Sequence, residues 1–172
     1  AKSALLTDRL GYTEALGLPL LRQKIATFYA DRYGLELPVE RIAVVTGSSA
    51  GFVLAFLAAF EAGERIALAA PGYPAYRNIL ASLGLNAIEV LSGPEQRFQP
   101  TPELLDQVSG PLDGLILASP SNPAGTVVDA AAMTALVDYC RERGIRLISD
   151  EIYHGIVYEN RQAVTALAYS DD

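Results

Sequence analysis

Short apolar runs alternate along this chain with longer stretches of helical spacing. Pro19 opens an amphipathic helix with Leu20, Leu21, Ile25, Phe28 and Tyr29 near helical spacing, and Gly34 stops it. Ile42–Val45 predicts a strand, after which the turn at Thr46–Gly51 leads into a helix from about Ala50 to Phe60, closed at Gly63. A second strand is expected at Arg65–Ala69 and a helix at about Ala75–Leu83, ended by Gly84. A third strand follows at Ala87–Leu91. Beyond the polar loop Gly93–Pro102, the pattern predicts a short helix at Glu103–Val108 and a strand at Gly114–Ala118. A long helix at Asp129–Arg143, stopped by Gly144, precedes a short buried strand around Leu147 and Ile148. Residues 1–18 show no clear period and read as an arm or loop, and Gly155–Tyr158 fits either a loop or a short strand. Strands alternating with helices call for an α/β fold, a mostly parallel sheet with helices on both faces and right-handed crossovers.

Composition narrows the class of partner. With 172 residues the chain is long enough for one sizeable α/β domain, and 51% hydrophobic content with a mean hydropathy of +0.22 fits a globular core. A net charge of −7 argues against nucleic acid or a membrane surface as partner, since both need basic patches. The longest apolar stretch, Phe52–Phe60, is far too short to span a bilayer. Cys140 is the only cysteine, which fits a reducing cytoplasm, and its place in a helix reads as inert core. His154 is the only histidine, so no His-rich metal site can be built, and its place beside a turn reads as polar surface.

The candidate chemistry stands at strand ends. In open parallel sheets ligands sit just beyond the carboxyl ends of the strands. The last strand runs into Asp150, Glu151 and, three places beyond the aspartate, Tyr153. A carboxylate there can hold a proton on a ring nitrogen, although an aspartate after a strand also serves as a turn residue or helix cap. The preceding strand ends in Ser119-Pro120-Ser121-Asn122-Pro123-Ala124-Gly125, where Pro123 restricts Asn122 to extended geometry and leaves its amide free to donate. Gly47-Ser48-Ser49-Ala50-Gly51, opening a helix, is a candidate phosphate cup built from small residues and free N–H groups. It has neither a Walker lysine nor the spacing of a dinucleotide fingerprint. Tyr73, held in Pro71-Gly72-Tyr73-Pro74, is a stiff aromatic able to stack on a planar ligand or to fold onto the core.

Taken in order, these residues resemble the large domain of the class I/II aminotransferases, the pyridoxal-phosphate-dependent enzymes of fold type I. Tyr12, Gly17, Leu21 and Arg22 match the family's tyrosine followed by a Gly-x-x-x-Leu-Arg segment. Ser119–Gly125 is similar to its Asn-Pro-Thr/Ala-Gly motif, and Asp150-Glu151-Ile152-Tyr153 matches its Asp-Glu-x-Tyr motif. The resemblance implies that Asp150 pairs with the protonated pyridine nitrogen of pyridoxal 5'-phosphate, keeping the ring an electron sink. It implies that Tyr153 and Asn122 hydrogen-bond the ring's phenolic oxygen and that Tyr73 stacks on the ring. Ser48, Ser49 and Ala50 would cradle the phosphate, and Tyr12 would reach the phosphate of a neighbouring subunit in a homodimer. A cis peptide is expected at Asn122–Pro123.

The chain departs from the family pattern in one respect. The family's Schiff-base lysine lies a few tens of residues beyond the tyrosine matched by Tyr153, and neither Lys2 nor Lys24 stands at the matching place. The arginine that binds the substrate carboxylate belongs to a later, smaller domain. Residues 1–18 therefore read as an arm, and 19–172 as part of a cofactor-binding large domain from a longer enzyme, not active alone. The function expected of that enzyme is amino-group transfer from an amino acid to a 2-oxo acid. A lyase or decarboxylase on the same fold remains open, as do a non-catalytic ligand-binding domain and a generic nucleotide-binding domain.

Overall fold

The structure is a computed structural model that describes residues 2–7, 11–158 and 161–170. It divides into two compact units, residues 1–46 and 47–172.

In the first unit, α1 (Lys2–Thr7) stands where the sequence suggests only an arm. α2 (Pro19–Tyr33) begins at Pro19 and ends at Gly34, whose φ of 70° lets its N–H reach back to the last turn. Its apolar residues Leu20, Leu21 and Phe28 are exposed within this unit, and Ala26 is its one buried residue. The strand expected at Ile42–Val45 does not form. The segment is extended, but Val44 takes a single bond from its N–H to the carbonyl of Leu16, a loop residue, and one such bond makes no ladder. Two residues of the Tyr-Gly-Leu-Arg pattern hold this unit together. Arg22 donates from Nε to the Ile42 carbonyl at 2.9 Å and from Nη2 to the Val39 carbonyl. Gly17 has a φ of 94° and lies so close to Val44 that a Cβ would sit 2.6 Å from that residue's own Cβ.

In the second unit, the chain runs α3 (Ser48–Ala59), β1 (Arg65–Ala70), α4 (Pro74–Ser82), β2 (Asn86–Leu91), α5 (Pro102–Leu105), β3 (Gly114–Ala118), α6 (Ala130–Arg143) and β4 (Arg146–Asp150). The four strands are all parallel, in the order β2-β1-β3-β4. Alternation along each strand serves two cores. Ile66, Leu68 and Ile116 face Phe52, Phe56, Tyr76 and Leu80 of α3 and α4. Ala67, Leu115 and Leu117 face Leu105, Met133, Leu136 and Val137 of α5 and α6. Such a two-sided burial is what all-parallel strands require.

Local signals set the helix ends. Thr101 accepts from the N–H of Leu104, and Asp129 Oδ1 accepts from the N–H of Ala132 at 2.9 Å, each a side-chain N-cap. Cys140 is buried in the α6 core, as its helical position suggested, and burial raises its thiol to about 11. His154, in contrast, is buried rather than on the surface, with Nδ1 3.6 Å from Glu151 Oε2. Gly155–Tyr158 continues as loop. No helix among the described residues is long and apolar enough to cross a membrane.

Candidate active site

The strand order decides where a ligand can go. From β1 the chain moves outward to β2, then returns to the other side of β1 to form β3, so the order reverses between β1 and β3. A crevice opens at such a reversal, outside the carboxyl ends of the strands. The segment after β1 carries Tyr73, the segment after β3 carries Asn122, and β4 ends on Asp150.

A cleft of about 110 Å³ lies at this point, lined by Ser48, Tyr73, Tyr76, Ala118, Pro120, Asn122, Asp150, Ile152 and Tyr153. Five residues singled out in the sequence thus meet in one hollow: Ser48, Tyr73, Asn122, Asp150 and Tyr153. Ser49 and Ala50 share the first turn of α3 with Ser48 but do not line the cleft. Tyr12 belongs to the first unit and is fully exposed there.

The backbone shapes each wall. Gly47 precedes α3 with a φ of 91° and has no side chain to cap it, so the helix offers its first N–H groups beside Ser48. Tyr73 is the N-cap residue of α4 and Pro74 its first residue. Just before it, Gly72 sits so tightly that a Cβ would lie 2.3 Å from the Ala69 carbonyl oxygen. The peptide bonds Ala70–Pro71, Ser119–Pro120 and Asn122–Pro123 are cis, the last as expected. Asn122 sits in a closed turn, where Ser121 N–H donates to the Thr126 carbonyl at 2.9 Å and Gly125 N–H to the Ser121 carbonyl at 2.8 Å. Among the described residues neither the Asn122 amide nor the Tyr153 phenol has a hydrogen-bond partner, so both donors are open to the cleft.

Asp150 is held from two sides. Its Oδ1 accepts from the N–H of Ile152 at 3.2 Å, and its Oδ2 accepts from the phenol of Tyr76. Tyr76 is the residue that sequence reasoning missed. It is buried, and its ring meets Phe52 edge-on at 5.1 Å and Tyr73 edge-on at 5.4 Å. Burial first, and then the bond to Asp150, push its phenol far above the ordinary tyrosine range, so it stays protonated and remains a donor. Its position three residues beyond Tyr73, in the first turn of α4, was the available signal.

Glu151 points away from this task. Its Oε1 accepts from Ser149 Oγ at 2.9 Å and from the N–H of Ala166 at 2.8 Å, and Oε2 faces His154. The motif's second carboxylate is thus structural, pinning the segment around Ala166 to the end of β4.

The arrangement can hold a flat heteroaromatic ring. The carboxylate suits a protonated ring nitrogen, the amide and phenol suit a ring oxygen, an aromatic wall suits a ring face, and a helix N-terminus suits an anionic tail.

This fold and cleft define a parallel α/β domain with a cleft at the carboxyl ends of its strands. The family model described as "Aminotransferase class I and II" matches residues 2–171, and the chain belongs to that family. A valine–pyruvate aminotransferase of Mycobacterium tuberculosis is 49% identical over 159 residues, which are 92% of this chain and 41% of that protein. The crystal structure of an aminotransferase from Mycobacterium tuberculosis superposes with a TM-score of 0.93 at 46% identity, covering 98% of this chain and 46% of that one. A putative aminotransferase from Silicibacter pomeroyi does so with a TM-score of 0.84 at 42% identity, covering 99% of this chain and 50% of that one. The chain spans about two fifths of the length of the curated relatives it matches.

Proposed function

We propose that the full-length protein is a pyridoxal-phosphate-dependent aminotransferase and that this chain supplies most of its cofactor cleft. The observation that carries the reading is that Asp150, Tyr153, Asn122, Tyr73 and Ser48, which lie far apart in sequence, line one cleft. When bound, pyridoxal 5'-phosphate supplies an electron sink for the pair left at the substrate α-carbon after proton loss. Asp150 would hold a proton on the ring nitrogen, and its two hydrogen bonds fix the orientation of the carboxylate. Asn122 and Tyr153 would hold the phenolic oxygen by donating to it. Tyr73 covers a ring face. The N–H groups of Ser48, Ser49 and Ala50 receive the phosphate.

The remaining parts of the reading lie outside this cleft. Tyr12 reaches the phosphate of a second subunit in a cytoplasmic homodimer, and the Schiff-base lysine and the carboxylate-binding arginine come from segments beyond this chain. The relative at 49% identity is named for valine and pyruvate, and this supports the same pair as substrates here.

The test is to incubate the full-length protein with cofactor, valine and pyruvate, and to follow alanine and the 2-oxo acid by NMR. Amino-group exchange between the two acids is the expected result. Release of ammonia or carbon dioxide without exchange, or no absorbance change on cofactor titration, would overturn the proposal. Light scattering with and without Tyr12→Phe tests the dimer and the shared site.

A further inference from the structure

Gln99 lies in the loop between β2 and α5, outside every motif named above, yet it is 6% exposed. A buried amide must find partners. The two protons of its Nε2 are shared among the Ala118 carbonyl at 3.2 Å, the Thr126 carbonyl at 3.0 Å and Thr126 Oγ1 at 3.2 Å. Ala118 ends β3, and Thr126 closes the turn that carries Asn122. The Thr126 hydroxyl in turn meets Ser121 Oγ at 3.2 Å, beside Asn122. One side chain therefore ties both ends of the Asn122 turn together from a loop remote in sequence.

The backbone that delivers this amide is unusual. Arg97 and Phe98, immediately before Gln99, have φ of 53° and 57°, and neither is glycine. Two successive left-handed residues with side chains are unfavourable and persist only where the surroundings enforce them. Gln99 also lines a narrow cavity of about 20 Å³ that shares Tyr73, Tyr76, Ala118 and Asn122 with the walls of the cleft. Removal of the amide donor leaves the Ala118 and Thr126 carbonyls without it and frees the turn to shift.

We propose that Gln99 is a positioning residue that acts through Thr126 and Ala118 to hold the Asn122 amide on the cofactor's phenolic oxygen. The proposal rests on the cofactor reading given above. It makes the loop after β2 part of the site although no residue of that loop lines the cleft.

The experiment uses the full-length protein, wild type and Gln99→Met, Asn122→Ala and the double variant. Three quantities are read: affinity for pyridoxal 5'-phosphate by absorbance titration, the pH midpoint of the bound cofactor's visible band, and the melting temperature without cofactor. Gln99→Met is expected to weaken affinity about fivefold, the worth of one ordinary hydrogen bond. It should also move the pH midpoint in the same direction as Asn122→Ala. The double variant should match Asn122→Ala alone within about twofold, since Gln99 acts only through that residue. A wild-type midpoint and affinity in Gln99→Met, whatever its melting temperature, would reduce Gln99 to a structural role and overturn the inference. Should Gln99→Met not fold, Thr126→Val removes one of the same contacts and must move the midpoint in the same direction; no movement overturns the inference. Absence of cofactor binding by the wild type overturns the functional reading as well, and that arm separates the two failures.

Discussion

Tyr76 donates its phenolic proton to Oδ2 of Asp150 across 74 positions of sequence, and the N–H of Ile152 holds the other carboxylate oxygen at 3.2 Å. An aspartate at a strand end is otherwise free to rotate about two side-chain torsions. With a donor on each oxygen it keeps one orientation. Tyr76→Phe preserves the ring packed on Phe52 and Tyr73 and removes only the donor. The expected outcome in the full-length protein is roughly tenfold weaker binding of pyridoxal 5'-phosphate, in line with a hydrogen bond to a charged acceptor. In an Asp150→Asn background the same substitution should cost much less. Equal losses in both backgrounds would show that the phenol does not act through Asp150.

The approach of Gly72 to the Ala69 carbonyl leaves no room for a methyl group. Gly72→Ala should destabilise the fold by about 2 kcal/mol, within the usual range for overpacking. The substitution should also displace Tyr73, so cofactor affinity falls along with stability. Urea denaturation and absorbance titration check the two effects separately.

Glu151 accepts two hydrogen bonds through Oε1 and faces His154 with Oε2. Glu151→Ala removes a largely buried carboxylate and leaves the Ala166 N–H and the Ser149 hydroxyl without their acceptor. A loss of roughly 3 kcal/mol is expected for two charge-assisted bonds at a part-buried site. Faster hydrogen exchange should be confined at first to residues around Ala166. An unchanged exchange rate there would show that the carboxylate does not pin the segment.

Burial raises the Cys140 thiol from 9.0 to about 11. The folded value lies above the unfolded one, so the associated stability is full below pH 9.0 and is lost as pH rises towards about 11. Cys140→Ala should flatten that part of the stability curve, whatever it costs in packing at neutral pH. Urea midpoints of both proteins across this window provide the measurement; parallel curves would contradict it.

The pattern of apolar and polar residues determined much of this molecule. Arg65–Ala70, Asn86–Leu91, Gly114–Ala118 and Arg146–Asp150 form strands close to where their composition places them, because a buried parallel strand needs an unbroken apolar run and little else. The strand-end motifs fell on one cleft because parallel strands point all their carboxyl ends the same way, so Tyr73, Asn122 and Asp150 had to emerge on one side. Ile42–Val45 has the same apolar content, yet it forms no strand, because strand identity depends on a neighbour that supplies a ladder and Leu16 supplies one bond. The partners of Asp150, the burial of His154 and the reach of Gln99 into the Asn122 turn were settled by packing across the sheet ends. Local sequence encodes what a residue can donate or bury; which group it meets depends on chain segments tens of residues away that only the folded sheet brings into contact.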